Sequence, residues 1–154
     1  MFSTVAGLPA HPLFVHGAVV LGPLAAVLLI AWALLPRANR HLFWPSLVAA
    51  VAAVPATLVA KASGEALLEA EGFSEDNPGR FAEHVQYADM LTVAVIGAAV
   101  LALGYAFVVH RGIANPGVRW LLRILLVLAA VAVLVTAALT GHEGASLVWA
   151  GSGS

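Results

Sequence analysis

Four long apolar stretches decide what this chain can become: Leu13 to Leu35, Leu42 to Ala60, Ala88 to Val109 and Val118 to Thr140. A helix needs about 20 residues, at roughly 1.5 Å rise each, to cross a hydrocarbon core about 30 Å thick. Each stretch meets that length. Hydrocarbon offers no partner for a bare N–H or C=O, so the segments must be helices that satisfy their own backbone. The fourth contains Arg119 and Arg123 close to its start, from where both side chains can reach back to the headgroups. Of the 154 residues, 62% are hydrophobic and 10% charged, whereas soluble domains carry about 25% charged residues. The expectation is an all-α integral membrane protein, a single up-down-up-down four-helix bundle over residues 1–150. The closing Gly151-Ser152-Gly153-Ser154 reads as a linker remnant.

The segment ends carry matching punctuation. Pro36-Arg37-Ala38-Asn39-Arg40 makes a short turn between antiparallel helices, and Gly112 to Gly117 makes another. Asn77-Pro78 supplies an N-cap and a proline for the first helical position, which predicts a third helix starting near Pro78. Pro45 and Pro55 predict bends in the second. Trp32, Trp44, Trp120 and Trp149 read as residues of the interfacial aromatic belt.

Orientation follows from the basic residues. Arg37, Arg40, Arg111, Arg119 and Arg123 fall at one set of ends, and only Lys61 and Arg80 fall at the other. The positive-inside bias assigns the arginine-rich ends to the cytoplasm, which puts both termini and the loop after the second helix outside it. All of the carboxylates (Glu65, Glu69, Glu71, Glu75, Asp76, Glu83, Asp89 and Glu143) share that outer side. No basic residue precedes the first apolar stretch, so a signal peptide is not expected. The expected location is a plasma membrane, crossed several times, with lipid as the surrounding partner and no contact with nucleic acid.

This topology gathers histidines that the sequence keeps apart. His11 and His16 open the first helix, Glu83-His84 precedes the third apolar stretch, and Gly141-His142-Glu143-Gly144 follows the fourth. There is no cysteine, which removes disulfides, thiolate metal sites and covalently attached c-type haem. Neutral imidazoles from facing helices can clamp an iron on both of its axial sides. First and third helices of such a bundle lie on a diagonal, so His16 and His84 form the preferred pair. Small neighbours (Gly17, Ala18, Gly22 and Ala88) would leave room for a flat ring. His16 has the added weight of lying inside apolar sequence, where ionisable residues are costly and usually functional. His142 then serves as an alternative ligand or propionate partner, and His11 as a supporting group.

The same residues admit other readings. A histidine at a membrane interface is often only a headgroup contact, and His41 and His110, beside arginines at the opposite edge, are read that way. A zinc or copper site built from His11, His16, His84 and His142, with Glu65 as a further ligand or base, would make the chain a metal-dependent membrane enzyme. A structural or assembly subunit without cofactor is the third possibility. Glu65 and Glu69 share a face if the second helix continues past the bilayer. Glu71, Glu75 and Asp76 read as solvated loop, and Asp89 as a group that could orient a histidine.

The assembled motifs resemble the DUF2231 family of small membrane proteins. The likeness rests on His11-Pro12-Leu13-Phe14-Val15-His16 at the first span, the Ser63-Gly64 turn after the second, His84 opening the third, and Gly141-His142-Glu143-Gly144-Ala145-Ser146-Leu147-Val148 closing the chain. The family's opening motif usually continues His-Phe-Pro, where this chain has His16-Gly17-Ala18. Its activity is unsettled, but relatives occur joined to Rieske-type iron–sulfur or c-type cytochrome domains. That company implies membrane electron transfer and haem b, with quinol or an extracytoplasmic redox domain as partner. Association of the chain with further copies of itself is left open.

Overall fold

The computed structural model describes residues 4, 5, 7–113 and 115–149. A two-residue hairpin (β1, Thr4–Val5; β2, Leu8–Pro9) leads into four helices: α1 (Ala10–Leu34), α2 (Asn39–Ala70), α3 (Ala82–His110) and α4 (Pro116–Trp149). All four are long and apolar enough to cross a membrane. α1 packs on α2 and α4, and α3 packs on the same two, so α1 and α3 face each other across a diagonal. The expected up-and-down bundle is therefore the fold. The expected linker remnant, 151–154, lies outside the described residues.

Two helices run well past their apolar stretches. α2 continues through Ser63-Gly64 to Ala70 and α4 continues through Gly141 and Gly144 to Trp149. Neither glycine motif is a turn, contrary to the expectation for Ser63-Gly64. A glycine inside a helix costs roughly 1 kcal/mol relative to alanine, and here its missing Cβ makes room for a ring from the next helix. The third helix begins later than Asn77-Pro78 predicted. Pro78 leads into a 3₁₀ turn over Gly79–Phe81, and no side chain caps that turn or α3. The cap that does form belongs to α4, where Asn115 Oδ1 accepts the N–H groups of Gly117 (2.9 Å) and Val118 (3.2 Å) ahead of a proline first turn. α2 continues unbroken across Pro45 and Pro55, as α1 does across Pro23.

Small residues make the core. Ala25, Ala26, Ala50, Ala53, Ala98, Ala99, Ala102 and Ala130 are buried in it, which lets the helix backbones approach closely, as helices in lipid must to gain contact. Ser46, fully buried, donates to the Leu28 carbonyl of α1 at 3.1 Å and ties α2 to it. A void of about 10 Å³ between Gly22, Leu29, Val95 and Val133 has room for little more than one water. The middle of the bundle is closed.

One constant register shift, the one that carries His11 onto His84, also carries Ala18 onto Leu91, Gly22 onto Val95, Ala25 onto Ala98, Ala26 onto Ala99, Leu29 onto Ala102, Trp32 onto Tyr105 and Ala33 onto Ala106. Every residue of those seven pairs from Ala18 onward is buried. The shift that carries Ala60 onto Thr140 likewise carries the buried Ser46, Ala50 and Ala53 onto the buried Leu126, Ala130 and Val133, and Gly64 onto Gly144. The α1–α2 hairpin is thus repeated as α3–α4. Because both hairpins run in the same sense, the repeats are related by a pseudo-two-fold axis along the bundle. This internal repeat is a property that the reading of the sequence had not identified.

The arginine-bearing end shows the symmetry in its aromatic residues. Trp32 is fully buried, stacked edge-on to Tyr105 (4.7 Å) and to Phe43 (5.5 Å), and its Nε1–H donates to Asn39 Oδ1. It is a core residue, not a member of the interfacial belt, because its polar atom has a partner inside the bundle. Trp44, Trp120 and Trp149 are exposed, as belt residues would be. Arg123 Nε donates to Tyr105 Oη at 3.0 Å, and Arg119 Nε reaches back to the Ile113 carbonyl at 2.8 Å.

An even number of spans places the α2–α3 loop and the end of α4 on one side of the membrane. Single cysteines at Ser74 and Ser146 should label from the same side, and cysteines at Arg37 and Asn115 only from the other. Labelling of Ser74 and Ser146 from opposite sides would contradict the fold.

Candidate functional site

The pseudo-two-fold axis meets two imidazoles at the end of the bundle opposite the arginines. His11 of α1 and His84 of α3 face each other with ring centroids 6.4 Å apart and planes at 87°. Each ring is tied to the neighbouring helix of its own repeat. His11 Nδ1 lies 3.1 Å from the Ala60 carbonyl and 3.1 Å from Ser63 Oγ, while Ser63 donates its own proton to that carbonyl at 2.7 Å. His84 Nδ1 lies 3.1 Å from the Thr140 carbonyl. A carbonyl oxygen can only accept, so each ring carries a proton on Nδ1, which leaves Nε2 as the nitrogen that the neutral form of the ring would offer as a lone-pair donor.

Helical glycines shape the seats. A Cβ placed on Gly64 would come within 2.9 Å of His11 Cε1, and one on Gly144 within 3.1 Å of His84 Cε1. Each ring therefore packs flush on backbone one turn beyond the carbonyl that holds it. The two seats are equivalent under the repeat, down to the Ala60–Gly64 and Thr140–Gly144 spacing.

The other expected ligands are elsewhere. His16 is exposed, with Nδ1 against the Pro12 carbonyl of its own helix, so the residue that faces His84 is His11. His142 is exposed on α4, and His41 and His110 are exposed at the arginine end. Glu65 is engaged by Lys61 Nζ at 2.6 Å. Among the described residues no three of the His, Asp and Glu side chains form a group that could hold a metal ion. What the structure brings together is a pair.

Beside that pair, Lys61 knits the α2/α3 side closed. Its ammonium contacts Glu65 (2.6 Å), Glu75 of the loop (2.7 Å) and Asp89 of α3 (2.9 Å). Asp89 is thus a partner of Lys61 rather than an orienting group for a histidine, and Glu75 is latched rather than free in solvent. The hydrogen bond from Lys61 foremost, then one shared with Glu65, holds the Glu75 carboxyl below its ordinary range. Arg80 makes a longer contact with Glu71 at 3.6 Å. These exposed pairs order the loop and add little net stability individually.

A helical bundle of four membrane-crossing segments, built from two repeated hairpins and carrying a paired-histidine seat at one end, is the class that these features define. Residues 7–153 match the family model described as "Predicted membrane protein (DUF2231)", and the chain belongs to that family. No curated protein and no solved structure matches it.

Alanine at the seats separates packing from mere helix propensity. Gly64→Ala and Gly144→Ala should each lower stability by roughly 1–3 kcal/mol, because the added methyl overpacks against a tethered ring. Gly141→Ala, whose Cβ would meet nothing within 4 Å, should be neutral or stabilising by up to about 1 kcal/mol. Thermal melts of the purified protein in one detergent would check the order, and equal effects at all three positions would contradict the seats.

Proposed function

We propose that this protein is a membrane electron carrier that holds haem b between His11 and His84, with the histidine end outside the cytoplasm. The observation that carries the reading is the pair itself. Both imidazoles are tied through Nδ1 to a fixed acceptor, the arrangement that orients a ligating histidine and raises its basicity. Two metal–imidazole bonds of about 2.0–2.1 Å each would set the ring centroids roughly 6 Å apart, and the observed separation is 6.4 Å. At that separation His11 and His84 are the residues that would hold a haem iron, through their second ring nitrogens.

Haem bound in this way supplies reversible one-electron chemistry through its iron. The protein's own residues supply the rest. Ala60, Ser63 and Thr140 keep both rings in one tautomer, and Gly64 and Gly144 set how deeply the rings sit. Lys61 holds the loop and α3 against α2 next to the site. The closed, alanine-rich core forms the floor beneath them. Quinol within the membrane, or a Rieske-type or c-type cytochrome domain outside it, fits the role of redox partner. The arginine bias supports the outward orientation of the site.

The preference for His16 as an axial ligand gives way to His11 in this reading. A zinc or copper enzyme has less support, since Glu65 is committed to Lys61 and the fourth histidine, His142, is exposed.

An absorption spectrum of the purified protein tests the proposal. It should show a Soret band, with a sharp low-spin band on reduction, at about one haem per chain. His11→Ala and His84→Ala should each abolish most of the pigment, whereas His16→Ala, His41→Ala and His110→Ala should retain it. Colourless protein with stoichiometric zinc or copper, or full pigment in both His11→Ala and His84→Ala, would overturn the reading.

A further inference from the structure

The two repeats differ at the arginine-bearing end, and the difference is one of charge. The shift that carries Trp32 onto Tyr105 relates α1 to α3, and the one that carries Ser46 onto Leu126 also carries Asn39 onto Arg119 and Phe43 onto Arg123. In the first repeat these residues are neutral and satisfy one another. Trp32 Nε1–H donates to Asn39 Oδ1, and the indole packs edge-on to Phe43. In the second repeat the equivalent places hold two cations. The fold packs without charge at these positions, so packing does not account for the arginines.

Each of the two is anchored through a single nitrogen. Arg123 Nε donates to Tyr105 Oη at 3.0 Å, and Arg119 Nε donates to the Ile113 carbonyl at 2.8 Å. Both acceptors belong to α3 or to the loop that follows it, which draws both guanidiniums to the α3 side of α4, one turn apart. With Nε taken, each fork keeps its two terminal nitrogens, the pair that grips a planar or tetrahedral oxyanion end-on. Among the described residues those nitrogens have no hydrogen-bond acceptor. The counter-charge has to come from outside the chain. All 8 carboxylates lie between Glu65 and Asp89 or at Glu143, towards the other end of the bundle, and the charged neighbours here are Arg37, Arg40 and Arg111. Arg123 is half-buried and sits five residues into the apolar stretch that opens at Val118, roughly 7–8 Å along the helix. A cation at that depth is costly without an anion. The adjacent surface of α4 is exposed and apolar, at Trp120, Leu121, Ile124 and Leu128. An anion carried at headgroup depth on acyl chains meets both conditions, whereas a free ion would have to leave water to reach them.

We propose that Arg119 and Arg123 form a seat for the phosphate of an anionic phospholipid at the arginine-bearing end of the α3–α4 hairpin. The terminal guanidinium nitrogens take the phosphate oxygens, and the exposed apolar side chains of α4 lie against the acyl chains. Tyr105 is a positioning residue, since its hydroxyl holds Arg123 in place without touching the lipid. A zwitterionic lipid sets its own ammonium against its phosphate and is the weaker ligand. The neutral Asn39 and Phe43 of the other hairpin provide no such seat. The inference is independent of the histidine pair at the opposite end.

Native mass spectrometry of the delipidated full chain, titrated with phosphatidylglycerol or phosphatidylcholine in detergent, tests the seat. Phosphatidylglycerol should be retained with a preference of roughly tenfold or more, the scale of charge-assisted hydrogen bonds. Arg119→Gln/Arg123→Gln should abolish that preference. Arg37→Gln/Arg40→Gln, which deletes the same charge from exposed positions, should keep most of it, and His11→Ala should keep all of it. Tyr105→Phe spares both charges and should weaken the preference several-fold; it serves where the glutamine variant does not fold. Equal retention of the two lipids, an unchanged preference in Arg119→Gln/Arg123→Gln or in Tyr105→Phe, or an equal loss in Arg37→Gln/Arg40→Gln would overturn the proposal. Displacement of the lipid by excess inorganic phosphate would also overturn it, because the seat would then belong to a free anion.

Discussion

A hydrogen bond from an imidazole to a carbonyl inside a neighbouring helix is the interaction on which the functional end of this bundle depends. A helical carbonyl already accepts from its own helix, but its second lone pair remains open. His11 uses that lone pair at Ala60 and His84 uses it at Thr140, both at 3.1 Å. The net worth of each bond is only about 1 kcal/mol, yet its geometric effect is large. It puts a proton on Nδ1, ties the ring to the neighbouring helix and requires a bare backbone one turn on, which Gly64 and Gly144 provide. Close approach of α1 to α2 and of α3 to α4 then follows from the same demand, and alanine at the buried positions below sustains it.

The pseudo-two-fold repeat explains why the seats come in a pair, and the differences between its halves explain why the rest of that end is lopsided. A pseudo-two-fold axis places equivalent residues opposite one another, so one histidine per hairpin becomes a facing pair without further design. Trp32 and Tyr105 meet by the same logic at the other end, 4.7 Å apart. Away from the axis the two halves differ. One has Lys61 and three carboxylate partners, and the other has His16 and Gly141 at the equivalent sequence positions.

The spans, the arginine clustering and the gathering of histidines at one end were legible in the sequence because length and charge alone determine them. The DUF2231 resemblance, carried by the end motifs, is the family that the chain belongs to. The choice between His11 and His16 was not legible from hydrophobicity. In lipid both faces of a helix are apolar, so depth in the apolar stretch favoured His16 while saying nothing about which way it faced. The signal that distinguishes them is residue size: His11 shares a heptad-spaced stripe with Ala18, Ala25 and Trp32, all buried, whereas His16 shares its face with Val20, Leu24 and Val27, all exposed. Small residues mark the packed face in membranes, and matching the small-residue stripes of the two hairpins would also have exposed the repeat. Trp32 was misassigned to the belt for a related reason. Its position near a helix end fits an interface, and only the Asn39, Phe43 and Tyr105 contacts place it inside. The helical continuation through Gly64 and Gly144 was hidden because glycine after an apolar run reads as a stop.

Nitrogen-15 NMR of histidine-labelled protein in lipid tests the central claim without reference to any cofactor. At neutral pH and before any metal is added, His11 and His84 should both show a protonated Nδ1 and an unprotonated Nε2, and Gly64→Ala should disturb His11 while leaving His84 unchanged. Assignment of either ring to the Nε2–H tautomer, or two rings that respond identically to Gly64→Ala, would contradict the paired, carbonyl-tethered seats.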